Sequence, residues 1–299
     1  MTSDNKDILH RFLMADDTIR GVVIEGSRMV RKIRRSHELG ILETLVLGHA
    51  YMGACLMSAG LKGHDRLSLQ VDCSGPIKGL QVEANAAGEV RGYLKNNPIP
   101  VEKPLESFNL SPFFGAGFLS VSRMLAGAKH PFTGKVMMAH GSLAKDLAHY
   151  YFTSEQIPTS FSLSVKFDGD GHVAGAGGLF LQAMPDADDT VTAAVETRVM
   201  DLPSIGTMLS ERISPEALIR NHFRMYQPRL IDRRSVGFMC HCNRDQIRNV
   251  LTMLPMDELI DIQANGPLPV EVRCHHCNTR YAFQREHIDR LVAARYAAN

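Results

Sequence analysis

Residues 45–61 read LVLGHAYMGACLMSAGL, seventeen residues without a formal charge. A helix that crosses a bilayer needs roughly 20 predominantly apolar residues, and this stretch is interrupted by His49, Ser58 and three glycines. A helix that is apolar or small around its whole circumference is more often buried on all sides within a large soluble domain. The stretch therefore predicts a buried helix at the centre of an N-terminal core, and it argues against a membrane protein.

The residues on either side of this helix predict an α+β domain over residues 1–185. Strand-like and helical runs are mixed without a regular strand–helix–strand repeat, which favours α+β over a doubly wound parallel sheet. The segments with strand character are 20–30, 67–71, 80–84, 88–94 and 161–167. We expect a mixed β/α/β layered domain around the buried helix, with a hairpin turn at Ala86-Ala87-Gly88.

Residues 186–237 predict a helical connector. Helix-start or turn signals at 188–190 (DDT), 202–204 (LPS) and 213–216 (ISPE) separate short amphipathic segments. The apolar residues are spaced for one face that must rest on another surface. They include Met200, Leu202, Ile205, Met208, Leu209, Leu218 and Ile219. The remaining residues, 238–299, predict a small cysteine-bearing module.

Four of the six cysteines lie in that module as two close pairs. The first pair is CHC at 240–242 and the second, after thirty-one intervening residues, is CHHC at 274–277. Four thiolates that arrive as two pairs are the arrangement a tetrahedral zinc ion needs. The candidate ligands are Cys240, Cys242, Cys274 and Cys277. A neighbouring histidine in place of one thiolate is the alternative, and four cysteines are favoured over it.

The module has little apolar content, and domains of this size often depend on a metal. Zinc binding contributes roughly 10 to 16 kcal/mol in small zinc peptides, and that free energy is folding free energy. Thiolates that lose electrons to an oxidant can no longer hold zinc, so this composition can couple redox state to folding. From spacing alone, a purely structural zinc ribbon is favoured over a redox-active one.

Beyond the cysteines, the chain resembles the 33 kDa heat-shock protein family of redox-regulated holdase chaperones. Matching blocks occur in family order over essentially the whole chain. They are 7–12 (DILHRF), 19–21 (IRG), 67–70 (LSLQ), 74–77 (SGPI), 90–93 (VRGY), 132–136 (FTGKV), 147–159 (LAHYYFTSEQIPT), 176–178 (AGG) and 181–185 (LQAMP). The cysteine pattern and the SEQIPT run are the most specific. After the first cysteine pair the sequence is Asn243-Arg244-Asp245, where the family commonly has Ser-Arg-Glu.

The resemblance implies an ATP-independent chaperone that is dormant when it is reduced and holds one Zn²⁺ per chain. On oxidation Cys240 would pair with Cys242 and Cys274 with Cys277, zinc would leave, and the module and connector would unfold. Apolar surface would then bind unfolding client proteins. A homodimer of the oxidised form is left open, as the sequence does not fix the oligomeric state.

Composition bears on the alternatives. The formal net charge is +1, and residues 236–299 carry seven arginines against seven acidic residues. A nucleic-acid-binding zinc-ribbon regulator without a redox switch is the alternative function, but it would be expected to be basic. Neither a specific nucleic acid nor a membrane is expected as a partner. The cluster of five basic residues between 28 and 35 is interpreted as a solvated face.

An enzyme is not expected. Residues 115–120 (GAGFLS) approach a dinucleotide-binding fingerprint but lack its third glycine, and Gly134-Lys135 is followed by valine and lacks the upstream glycine of a phosphate-binding loop. No Gly-x-Ser-x-Gly motif occurs. The first twelve residues show no basic region followed by an apolar segment and a cleavage site. A cytoplasmic protein is therefore expected.

Overall fold

The fold is described from a computed structural model, over residues 6–101 and 107–297. The chain divides between Met239 and Cys240 into two compact units. Residues 186–237 belong to the first unit, and the boundaries predicted at 185 and 237 stay predictions. The mixed helix and strand content agrees with the predicted α+β class.

The first unit is built on a ten-stranded sheet of order β7-β6-β3-β4-β5-β10-β1-β2-β9-β8. All neighbours are antiparallel except β10 and β5. The strands are β1 Asp7–Met14, β2 Ile19–Glu25, β3 Arg66–Cys73, β4 Gly79–Asn85, β5 Glu89–Leu94, β6 Gly117–Met124, β7 Phe132–Met137, β8 Thr159–Phe167, β9 Val173–Ala183 and β10 Arg229–Phe238. The predicted hairpin is β4–β5, turned at a Gly88 with φ +81°.

Seven helices belong to the described part of this unit. They are α1 Ser27–His37, α2 Ile41–Met57, α3 Ser111–Phe114, α4 Leu143–Tyr150, α5 Asp189–Met200, α6 Ile205–Ser210 and α7 Pro215–Phe223. Short turns of other helix types follow α2 at Ser58–Gly60, α4 at Tyr151–Glu155 and α7 at Arg224–Tyr226. Helix α2 is the predicted buried helix. It meets the length and hydropathy criteria for a membrane span over Ile41–Gly60, but 89% of that window is buried within the protein.

Strand β9 lies between two layers of helices, and adjacent glycines in it show this directly. A Cβ on Gly177 would come within 2.4 Å of Leu209 in α6, whereas a Cβ on Gly178 would come within 3.0 Å of Leu56 in α2. Successive residues of a strand face opposite sides of the sheet. Helices α2 and α6 therefore pack on opposite faces of β9.

The connector helices cover one sheet face with an apolar cluster. From the sheet it contains Phe12, Met14, Ile19, Val23, Leu179 and Leu181, and from α5–α7 it contains Val195, Val199, Ile205, Met208, Leu209, Leu218, Ile219 and Phe223. All of these side chains are at most 8% exposed. Of the seven apolar residues predicted to form the covering face, Met200 is the clear exception, at 78% exposed.

Two segments differ from the sequence expectation. Residues 20–30 were expected to be extended throughout, but α1 begins at Ser27, because the Asp7 carboxylate accepts hydrogen bonds from the backbone N–H groups of Arg28 (3.1 Å) and Met29 (2.6 Å). Residues 229–237, predicted within a helical connector, belong to β10 instead, which ends at Phe238. The backbone groups of β10 pair with β1 on one side and, at the last two residues of the strand, with β5 on the other.

Candidate metal centre

The second unit places the two cysteine pairs on separate elements. Cys240 and Cys242 lie in the segment between β10 and helix α8, Arg244–Thr252. Cys274 and Cys277 lie in the loop of a two-stranded hairpin. The hairpin strands are β11 Val270–Arg273 and β12 Arg280–Phe283, and the remaining helices are α9 Met256–Asn265 and α10 Arg285–Ala297.

The four sulfurs form one tight cluster. The Sγ atoms of Cys240 and Cys274 are 3.8 Å apart and those of Cys242 and Cys277 are 3.3 Å apart. All four lie within 4.8 Å of one another. With Zn–S bonds near 2.3 Å, the sulfurs of a regular tetrahedron are about 3.8 Å apart. The donor set and its spacing therefore fit a zinc ion, and the cluster consists of the four predicted cysteines without a histidine.

The backbone of the β11–β12 loop shapes half of this cluster. The N–H of Cys274 donates to the carbonyl of Thr279 at 2.9 Å, and the N–H of Asn278 donates to the carbonyl of Cys274 at 2.7 Å. Asn278 has φ 59°, in the left-handed region that asparagine tolerates better than most residues. This tight turn brings the second cysteine pair to one side of the loop.

Two hydroxyl groups contact the sulfurs from outside. The Tyr281 hydroxyl donates to Cys242 Sγ at 3.1 Å, and the Thr279 hydroxyl lies 3.1 Å from Cys277 Sγ. Such outer contacts orient metal ligands and tune the charge on them. The sequence analysis missed both residues. The only sequence signal was their position, two and four residues after the last cysteine.

The acidity of the thiols follows from these surroundings. Burial raises the pKa of Cys274 and of Cys242, and the Tyr281 hydrogen bond opposes the rise at Cys242. Burial also acts to raise the pKa of Cys277, but hydrogen bonds with Thr279, Cys242 and Cys274 together outweigh it, and the net direction is downward. Four partly buried thiolates in contact repel one another, so the ionised cluster needs a cation among the sulfurs.

The module around the cluster has a small apolar core. The buried members are Leu251, Leu259, Phe283, Ile288, Leu291 and Val292. The Arg244 guanidinium lies 4.7 Å from the centre of the Phe283 ring, and the Asn243 side chain accepts from the N–H of Gln246 at 2.9 Å to cap α8. A core of this size stabilises a fold only weakly. A bound metal would therefore supply a large share of the stability.

The other two cysteines lie outside the cluster. Cys55 is fully buried in α2 and Cys73 is half-buried at the end of β3. Burial raises the pKa of both thiols, and a thiol that stays protonated reacts slowly with oxidants. Among the described residues there is one further group of possible ligands, Asp168, Asp170 and His172, and all three are exposed. Exposed carboxylates of this kind do not define a metal site.

Comparison with known proteins decides the family. The family model described as "Hsp33 protein" matches residues 7–284. The chain belongs to the Hsp33 family. Hsp33 relatives named "33 kDa chaperonin" include one from Desulforamulus reducens, 34% identical over 96% of this chain and 97% of the relative. Another, from Geobacter sulfurreducens, is 35% identical over 95% of this chain and 94% of the relative.

A solved Hsp33 structure agrees with the fold. The crystal structure of the 33 kDa chaperonin (heat shock protein 33 homolog) from Thermotoga maritima superimposes with a TM-score of 0.88 at 32% identity, covering 98% of this chain and 99% of that one. Membership in Hsp33 makes this protein a chaperone and not an enzyme. The predicted family is thereby confirmed, and the nucleic-acid-binding alternative is not favoured.

Proposed function

We propose that this chain is a redox-regulated, ATP-independent holdase whose four clustered cysteines hold one Zn²⁺ in the reduced, inactive form. The observation that carries the proposal is the cluster itself, with all four Sγ atoms within 4.8 Å, in a chain of the Hsp33 family. Zinc among four thiolates serves here as a structural ion, since every coordination position is filled by sulfur.

Oxidation removes the ligands from the metal. In each cysteine pair, two zinc-bound thiolates lose two electrons and form one S–S bond, and a peroxide takes up these electrons with two protons from the solvent and becomes two waters. The proposed pairs are Cys240 with Cys242 and Cys274 with Cys277. A disulfide sulfur carries no negative charge and is a poor zinc ligand, so two such steps release Zn²⁺.

Loss of zinc leaves the module with its six buried apolar side chains and little else to hold it. We expect it to unfold. Cys240 follows Phe238, the last residue of β10, by only two positions. The chain that leaves β10 then becomes free, and β10 loses the constraint of a folded segment at its end.

The apolar face released in the proposed active state is the one that α5–α7 cover. The cluster that α5–α7 share with β1, β2 and β9 has fourteen buried side chains. Exposed together, they would form one contiguous apolar patch, and large contiguous apolar patches are sites that bind other proteins. Because this cluster is well packed, zinc loss alone is not expected to open it. Mild heating should be needed as well, which couples activation to the conditions that unfold clients.

Unfolding client proteins are the proposed partners, the oxidised form is proposed to be a homodimer, and the cytoplasm is the proposed compartment. In the reducing cytoplasm the thiols stay reduced until an oxidant appears. The dimer would bury part of the released face in each copy. We expect sedimentation to report a monomer when the protein is reduced and a dimer after oxidation.

The testing experiment measures zinc content and the suppression of aggregation of a heat-unfolded protein, before and after peroxide with mild warming, and again after thiol reduction. We expect one zinc per reduced chain. Oxidation should release the zinc and produce holdase activity, and thiol reduction should reverse both changes. Zinc retained through oxidation without a gain of activity would contradict the proposal.

A cysteine variant tests the ligand assignment. Cys274→Ser should lose zinc affinity by several orders of magnitude and unfold the module under reducing conditions, because it removes a thiolate that is 9% exposed. Cys73→Ser is the matched control, since it makes the same change outside the cluster. Stoichiometric zinc at unchanged affinity in Cys274→Ser would show that the ligand set is wrong.

A further inference from the structure

A cavity of about 410 Å³ opens in the first unit, and none of its lining residues lies in α5–α7. Three arginines line it, Arg11 from β1, Arg20 from β2 and Arg123 from β6, and we call it the arginine cavity. Its volume lies within the range of small-molecule sites, roughly 300 to 1,000 Å³.

The strand register places the cavity on the α2 side of the sheet. Arg11 pairs with Val22 across β1–β2, and Val22 pairs with Phe180 across β2–β9. Directly paired residues face the same side of a sheet, and all three line the cavity together with Leu56 of α2. Phe12, the next residue in β1, points the other way, into the cluster with the connector helices. The cavity and the proposed client-binding face thus lie on opposite faces of β1 and β2.

The walls of the cavity are largely apolar. Besides Val22, Leu56 and Phe180, the lining includes Leu61 and Ile157. An apolar body of several carbon atoms could be buried against these side chains. Sites for small molecules commonly combine such walls with a few polar groups that fix the orientation of the ligand.

Two of the three arginines are already paired with carboxylates. Arg11 Nε lies 2.9 Å from Asp232. Arg123 Nη1 lies 2.9 Å from Glu155, and its Nη2 donates to the Tyr151 hydroxyl at 3.3 Å.

Arg20 differs from these two. It donates to the Gln182 side-chain oxygen and lies 6.0 Å from the centre of the Phe180 ring, and among the described residues no carboxylate is within ion-pair distance of it. Partial burial lowers the pKa of Arg20, Tyr151 opposes this shift, and the charges of Arg123 and Arg11 add to it. The residue is nevertheless exposed, so a ligand in the cavity can reach it. Asp65 also lines the cavity, but its carboxylate accepts from the N–H groups of Lys62 (3.1 Å) and Ala126 (2.8 Å).

We propose that the arginine cavity binds a medium-chain alkyl carboxylate, with its carboxylate at Arg20 and its chain along Val22, Phe180 and Leu56. Arginine recognises carboxylates with two parallel hydrogen bonds, which are stronger than neutral ones. The carboxylate of the ligand supplies a counter-charge for Arg20. Its alkyl chain removes apolar side chains of the cavity wall from contact with water. A neutral ligand would leave Arg20 without a counter-charge.

Calorimetric titration of the reduced, zinc-loaded full chain with octanoate tests the proposal. We expect one saturable site per chain, about fourfold tighter binding for each added methylene from hexanoate to decanoate, and at least tenfold weaker binding of octanol than of octanoate. Arg20→Gln should weaken octanoate at least tenfold, and Arg20→Lys should keep most of the affinity. Arg35→Gln is the matched control, since it removes one positive charge from an exposed residue outside the cavity.

Three results would overturn the proposal: no saturable octanoate binding, equal binding of octanol and octanoate, or equal weakening by Arg20→Gln and Arg35→Gln. Thermal unfolding of each variant shows whether it remains folded. If Arg20→Gln does not fold, the comparison of octanol with octanoate on the unmodified chain still tests whether the cavity recognises a carboxylate. The titration involves neither thiol oxidation nor zinc release, so its outcome is independent of the proposed switch.

Discussion

Gly175 near the start of β9 allows α6 to lie directly on the sheet. Replacing it with alanine should weaken this packing and make the connector helices easier to release. A Cβ on Gly175 would lie 2.2 Å from the carbonyl oxygen of Gly206 in α6 and 2.8 Å from the nitrogen of Ser210. Both contacts are with backbone atoms, which cannot rotate away. The helix itself must therefore move.

The size of the effect follows from this geometry. Carbon and oxygen atoms need about 3.2 Å, so α6 must retreat by about 1 Å from a contact at 2.2 Å. Overpacking of this kind typically costs about 1 to 3 kcal/mol. A cost of about 2 kcal/mol raises the population of the released connector roughly 30-fold.

Two measurements check the prediction on the reduced, zinc-loaded protein. Hydrogen exchange should speed up in α6 by about the same factor, while the second unit keeps its exchange rates and its zinc. The reduced variant should also suppress aggregation at a lower temperature than the unmodified chain. Gly169→Ala is the matched control, because it adds the same methyl group in the β8–β9 turn, where a Cβ would meet nothing within 4 Å.

Unchanged exchange in α6 would refute the packing argument. Faster exchange in α6 without any holdase activity at the lower temperature would refute the role of the connector as the cover of the client-binding face. The two readouts thus separate the structural premise from the functional one.

Two further predictions concern single side chains. Tyr281→Phe removes the hydroxyl that donates to Cys242 at 3.1 Å and should weaken zinc binding roughly 10- to 100-fold in a chelator competition, whereas Tyr296→Phe, at an exposed site of the same unit, should not. Burial raises the pKa of Asp7 to about 6, above its value in the unfolded chain, so Asp7 stabilises the fold most below about pH 4 and loses this contribution as the pH rises to 6. The difference in unfolding free energy between the unmodified chain and Asp7→Asn should therefore fall by about 2.4 kcal/mol between pH 4 and 7 and stay level above. A difference that rises with pH would contradict this.

Local signals in the sequence predicted the helical parts well. Each of the three connector signals contains the N-cap of a helix. Asp188 accepts from the N–H groups of Thr190 and Val191, Ser204 from that of Thr207, and Ser214 from that of Ala217. Capping depends only on residues a few positions apart, so it can be found without knowing the fold. The cysteine spacing is informative for a similar reason, because few other structures need two close thiol pairs.

Strand β10 shows what local signals miss. Its side chains are mostly exposed, including Leu230 and Ile231 at 46% each, so it lacks the alternation that marks a half-buried strand. It is a strand because β1, more than 200 residues earlier, offers backbone partners from Asp7 to Leu13. Backbone pairing over such a distance produces no hydrophobic periodicity in the sequence of the strand. The Tyr281 hydroxyl is similar, since its contact with Cys242 depends on how the hairpin lies against a distant segment.

The position of β10 bears on how oxidation of the cysteines could affect the proposed client-binding face. In the sheet, β10 is the strand that joins the half ending in β5 to the half beginning with β1. Its link to β5 is short, with Gly237 and Phe238 paired to Glu89 and Val90 and the N–H of Met239 bonded to the Val90 carbonyl at 3.0 Å. These bonds lie within three residues of Cys240, so we expect them to fray first when the module unfolds. The strand is preceded by α7 and the Arg224–Tyr226 turn, so β10 is the covalent link between the cysteine cluster and the connector helices α5–α7.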